Sequence, residues 1–168
     1  MSMITTFRRL SDEDLERLCD EPGVVEDYLG AEEPIEGFGP FAELDVDKAW
    51  HAIHFMLTGS AWEGDPPLNF IVSGGTEIGE DMGYGPARGL LNMEVRNVAA
   101  ALQLLPTAVL MRRFDRAAFA AAEIYPPIWG RSLEEDDTRG YVAENYEALR
   151  AFIIDAATAG EGLLIAVR

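Results

Sequence analysis

The segment 46–59 (VDKAWHAIHFMLTG) constrains the fold most, because it reads as a helix too apolar to lie on a surface. At about 100° per residue, Val46, Ala49, Trp50, Ile53 and Leu57 share one face, and Phe55 and Met56 extend apolar surface beyond it. Such a helix has to be enclosed by other elements. Its expected start is Asp45, whose carboxylate can accept from first-turn amides, with Asp47 adding negative charge at the positive pole; Gly59 is its expected stop. Along one edge the spacing i, i+4, i+7 and i+11 sets Asp47, His51, His54 and Thr58 in a polar strip. That strip holds both histidines of the chain, and the only lysine, Lys48, stands beside it.

Two readings of the strip compete. In one, His51 and His54 ligate a divalent metal, with Asp47 or another carboxylate as a third ligand, which gives a metal-assisted hydrolase. In the other, His54 sits at the edge of the core with a hydrogen-bonded partner and His51 faces water. No H-E-x-x-H run or cysteine cluster completes a metal set. Lys48 is read as a local ion-pair partner or as a binding residue. A serine triad of Ser73, His54 and Asp47 fails because the nucleophile elbow wants glycine where Ile71 stands, so no catalytic residue is assigned.

Residues 74–89 contain six glycines, Gly74, Gly75, Gly79, Gly83, Gly85 and Gly89. Bare amides at this density suggest a phosphate cradle, but no lysine follows, and Glu77, Glu80 and Asp81 would repel a phosphate. Tight turns at positive φ account for the glycines more simply. A long glycine-rich loop can also face a ligand, which makes Glu77, Glu80, Asp81, Tyr84 and Arg88 binding candidates alongside Asp47, Lys48, His51 and His54.

The remaining elements read as follows. Met3–Phe7 forms a first strand, and Ser11 caps a helix over 12–19, with Asp14 at the reciprocal position of a capping box. Pro22 opens a short helix to Leu29, and residues 30–40 form a loop. Leu68–Val72 has the length and branching of a buried strand. Val95, Val98, Leu102 and Leu105 mark a helix between Asn92 and Pro106, and Thr107 and Asp115 cap two shorter ones. The prolines of 124–129 (IYPPIW) exclude helix, leaving a stiff aromatic segment that covers the core or lines a groove. An acidic loop is expected at 134–137. Val142, Tyr146, Leu149, Ile153 and Ala156 define a long helix ending at Gly160, and 162–167 a closing buried strand.

These elements predict an α+β fold, a single domain over 1–168, helix-rich, with a small mainly antiparallel sheet that includes the N- and C-terminal strands. A chain of 168 residues buries enough surface to need no staple. Cys19, the only cysteine, follows Leu15 and Leu18 and is expected to be a reduced, buried thiol, which fits the cytoplasm. No signal core or apolar run of ~20 residues is present, so a membrane partner is not expected. Residues 11–47 carry 14 acidic side chains against Arg17 alone, 13 of the 17 net negative charges. That charge argues against nucleic acid and suits either a solvated face or an acidic inhibitor of a basic partner protein.

Several of these motifs occur together elsewhere. Met1-x-Met3-Ile4, Leu44-Asp45-x-Asp47-Lys48-x-Trp50-x-x-x-His54-Phe55-x-Leu57-Thr58-Gly59, the Pro67-Leu68 pair, the glycine-rich 77–89 and Ile124-Tyr125-Pro126 resemble the YfbM-like bacterial proteins, domain of unknown function 1877. Ser2 stands where that pattern has glycine. The resemblance spans nearly the whole chain and implies an intact single-domain bacterial protein, with no catalytic residues or cofactor to carry over. The leading expectation is a non-enzymatic cytoplasmic module that binds a protein or small ligand between the polar edge of the central helix and the glycine loop.

Overall fold

In the structure, a computed structural model that describes residues 2–131 and 137–168, strand β1 (Thr5–Leu10) leads into α1 (Asp12–Asp20) and, through a 3-10 turn at Pro22–Val24, into α2 (Val25–Gly30). Then come β2 (Ala42–Asp45), α3 (Trp50–Thr58), the hairpin β3 (Thr76–Ile78) and β4 (Ala87–Leu90), and α4 (Asn92–Gln103). Two short helices, α5 (Thr107–Leu110) and α6 (Arg116–Ala121), precede the long α7 (Thr138–Thr158) and the closing strand β5 (Gly162–Val167). The expected α+β architecture is what forms. All pairings are antiparallel, in the order β2-β1-β5-β4-β3, and the first and last strands lie side by side in the middle.

Period-2 alternation gives each face of this sheet its own core. One row of opposed residues, Leu44, Phe7, Ile165, Arg88 and Glu77, points toward α3, α4 and α7. The next row begins with Glu43, Arg8 and Leu164 and points toward α1 and α2, which cover it with Leu15, Leu18, Tyr28 and Leu29. Arg8 is the exception in an apolar layer. Its guanidinium, 2% exposed, pairs with Glu43, donates to the carbonyls of Tyr28, Leu29 and Ala31, and lies 3.9 Å from the Phe41 ring centroid. It thereby bolts the C-terminal end of α2 to the sheet.

As the periodicity required, α3 is enclosed: Trp50, His51, Ala52, Ile53, His54, Met56 and Leu57 are all buried. Its start is later than expected. Asp45 ends β2, its carboxylate accepts from the Asp47 amide in a turn, and Asp47 adopts φ 48°, which no helix can continue through. The helix therefore begins at Trp50, and Gly59, at φ 79°, ends it.

Three further expectations are corrected. Leu68–Val72 is a buried turn rather than a strand, because the Asn69 carbonyl accepts from the amides of Val72 and Ser73. The glycine-rich segment is not all loop, since it holds the β3–β4 hairpin; Gly74, Gly75, Gly79, Gly83 and Gly85 do take positive φ, whereas Gly89 sits in β4 against Leu15. Cys19 is exposed, because α1 turns Leu15 and Leu18 inward and leaves position 19 on the outer face. Of the acidic loop expected at 134–137, only Asp137 lies within the described residues, where its Oδ1 accepts from the Gly140 amide at the start of α7. Met1 also lies outside them. Among the described residues, no helix is long and apolar enough to cross a membrane.

Candidate functional site

Both histidines are completely buried, so His51 does not face water as one reading of the strip had it. His51 Nε2 donates to the Ala61 carbonyl at 2.8 Å, and its Nδ1 accepts from the Tyr125 amide at 2.8 Å, which fixes a neutral tautomer. Burial lowers its pKa, and the bond to Ala61 opposes that shift. His54 Nε2 donates to the Glu63 carbonyl at 3.1 Å. Burial is the main cause that lowers the His54 pKa to about 4, with smaller contributions in the same direction from His51 and Arg88. Its Nδ1 has no partner among the described residues, and no three His, Cys, Asp or Glu side chains there are placed to hold a metal ion.

The histidines thus grip the chain on either side of one residue, Trp62. Thr58 and Ser60 add to that grip: Thr58 Oγ1 accepts from the Ser60 amide at 3.2 Å, and Ser60 Oγ accepts from the Glu63 amide at 3.1 Å. The result is an immobilised loop whose indole is 59% exposed. The Trp62 ring lies 4.4 Å from His51 and 6.0 Å from Trp50, while Trp50 and His51 stack at 4.7 Å. Trp50 Nε1 donates to the Met3 carbonyl at 3.0 Å, and the Met3 amide donates to the Tyr125 hydroxyl at 3.1 Å.

Trp62 and Met3 separate two concavities. One, of about 330 Å³, has Ile165 and Val167 of β5 at its base and Trp50, Ile71, Tyr84 and Arg88 around it. The other, of about 410 Å³, is lined by His51, Ala120, Tyr125, Pro127 and Trp129. The aromatic segment 124–129 accordingly does both things expected of it: Ile124 and Trp129 are buried in the core, and Tyr125 lines a groove.

Arg88 gives the first concavity its charge. Its Nη1 donates to the Gly74 carbonyl at 3.0 Å, and its Nη2 donates to those of Phe70 at 2.9 Å and Ile71 at 2.6 Å. These bonds hold the 70–74 turn against β4. Glu77 is opposite in register, yet no carboxylate among the described residues comes within ion-pair distance of Arg88. Burial lowers the Arg88 pKa to about 10, and Glu77 acts in the opposite sense, so the group stays cationic at neutral pH.

The other candidates lie apart from this site. Asp47 and Lys48 border a separate depression with Pro126 and Tyr141. There the Tyr141 hydroxyl donates to Asp47 Oδ2 at 2.6 Å and accepts from the Lys48 amide at 3.1 Å. Burial, followed by the bond to Asp47, raises the Tyr141 pKa. Glu77 and Glu80 border another depression with Cys19 and Glu26. Asp81 shapes a turn, its Oδ1 accepting from the amides of Gly83 at 2.7 Å and Gly85 at 3.1 Å. His51, Tyr84 and Arg88 are brought together around Trp62; Asp47, Lys48, Glu77, Glu80 and Asp81 are not, and His54 lies behind. Trp62, Met3 and Trp50 were not among the candidates. The available signal was a lone large aromatic in the otherwise polar loop 58–65 (TGSAWEGD).

Comparison with known proteins gives a consistent picture. A family model described as a domain of unknown function, DUF1877, matches residues 1–166. No curated protein matches the chain. Among solved structures, a protein of unknown function, YfbM from Escherichia coli, is similar with a TM-score of 0.74 and 23% sequence identity, over 99% of this chain and 100% of that one. At that identity the likeness speaks to the fold.

Proposed function

The chain belongs to the DUF1877 family, and from that premise we propose that it is a non-enzymatic binding module whose ligand packs a flat apolar group beside Trp62. The observation that carries this reading is the state of that side chain. An indole 59% exposed on a free loop would be unremarkable, but this one stands on a loop whose carbonyls on either side, those of Ala61 and Glu63, are held by two buried imidazoles, and it sits between two aromatic-lined concavities. Rigid aromatic anchors next to preformed hollows give up little conformational entropy on binding and bury a large area. Recognition is favoured over catalysis because the imidazole at the site, His51, has both ring nitrogens engaged and its pKa lowered.

Native mass spectrometry of the protein isolated from its own host tests the reading. The expected result is a co-purifying small molecule that is lost from Trp62→Ala, whose melting temperature stays within about 3 °C of the parent because the truncated ring is largely in water. A ligand retained at full occupancy by Trp62→Ala overturns it.

A further inference from the structure

Arg88 distinguishes the two concavities beside Trp62. All of its hydrogen bonds among the described residues go to neutral carbonyls, those of Phe70, Ile71 and Gly74, which orient a guanidinium without cancelling its charge. Five N–H donors with three so engaged leave two, Nε–H and one on Nη1. The other deeply placed arginine shows the contrast: Arg8 donates to carbonyls in the same way but is also paired with Glu43. A partly desolvated cation with no carboxylate within ion-pair distance among the described residues is costly, and an anionic ligand relieves that cost.

The surroundings narrow the ligand. Trp62 and Tyr84, 59% and 39% exposed, offer flat apolar surface on this space, and the buried Trp50 and Ile71 lie behind them. The strongly acidic side chains of α1, α2 and the following loop, Glu13, Glu16, Asp20, Glu26, Asp27 and Glu32 among them, lie on the layer over the opposite face of the sheet. At physiological salt a charge farther away than roughly 8 Å is largely screened. Glu77, opposite Arg88 across the hairpin, is near enough to oppose a second negative charge. One guanidinium beside one carboxylate matches a planar monoanion rather than a phosphate dianion.

We propose that the concavity between Trp62 and β4 takes an organic monocarboxylate, its anionic end at Arg88 and its flat apolar body against Trp62 and Tyr84. This rests on the reading of Trp62 as a ligand anchor and adds the ligand's charge.

The test is isothermal titration of the intact protein with three probes that share a phenylpropyl skeleton: 3-phenylpropionate, its isosteric neutral amide, and the cationic 3-phenylpropylamine. The carboxylate is expected to bind at least tenfold tighter than the amide, with the amine weakest. Arg88→Gln should erase the difference between carboxylate and amide, and Trp62→Ala should weaken binding of all three. The probe series on the parent protein decides the matter even if Arg88→Gln fails to fold. Equal binding of the three probes overturns the carboxylate assignment and leaves the Trp62 reading standing, whereas binding of none removes both.

Discussion

His51 and His54 donate through Nε2 to the carbonyls flanking Trp62, an arrangement that makes two titratable rings part of the scaffold. A proton added to His51 Nδ1 would meet the Tyr125 N–H head on, and one added to His54 Nδ1 would be buried without a partner among the described residues. The folded pKa values are therefore lowered, that of His54 to about 4. The unfolded chain then binds more protons than the native one below pH ~6.5, so the contribution is complete above that pH and is lost as pH falls toward 4. Between pH 7.5 and 5, urea titrations should show a loss of about 2 kcal/mol from His54 alone, and His54→Gln should remove that part of the slope. An unchanged slope would contradict the protonation argument. At this scale the sequence located the histidines on α3 and missed what they hold: periodicity places a side chain on a helix face, but the carbonyls it reaches, at Ala61 and Glu63, depend on how a loop folds back.

Among the elements, those whose ends carry their own chemistry were legible. Ser11 caps α1 by accepting from the Asp14 amide at 3.1 Å, Asp115 caps α6 by accepting from the Ala118 amide at 3.2 Å, and β5 spans the predicted residues. The short strands β2, β3 and β4 were not, since three or four residues carry too little pattern to read. Leu68–Val72 misled for a related reason: a short apolar run is equally compatible with a strand and with a buried turn, and here Arg88 captures the turn's carbonyls while the Asn69 carbonyl accepts from its amides. The hairpin also separates two adjacent glycines by what surrounds them. Gly74 and Gly75 take φ 91° and 73°, but a Cβ on Gly74 meets nothing within 4 Å, whereas one on Gly75 would stand 2.3 Å from the Gly89 carbonyl oxygen. Gly74→Ala should cost about 1 kcal/mol, and Gly75→Ala about 3 kcal/mol or more, because β4 must move. Chemical denaturation of the two variants checks this, and equal losses would count against the contact.

For the molecule as a whole, the antiparallel sheet with both terminal strands and the enclosed central helix followed from hydrophobic period. The division into two cores did not, because it depends on which face of β1 and β5 each helix covers. Arg8 belongs to this scale, since it joins the α1–α2 layer to the sheet through Glu43 and three carbonyls. Arg8→Ala leaves the partly exposed Glu43 and those carbonyls without it and should destabilise the protein by about 3 kcal/mol or more. Hydrogen exchange should then accelerate first in residues 12–30; uniform acceleration across the fold would show that the layer has no independence. The same two-sided build gives the exposed Cys19 thiol a use. It stands on α1, over the sheet face opposite Trp62, so a fluorophore attached there immobilises or tracks the protein without entering either hollow. Because burial, then Asp20 and Glu16, hold the thiol above its ordinary pKa, conjugation with maleimide proceeds best in mildly alkaline buffer.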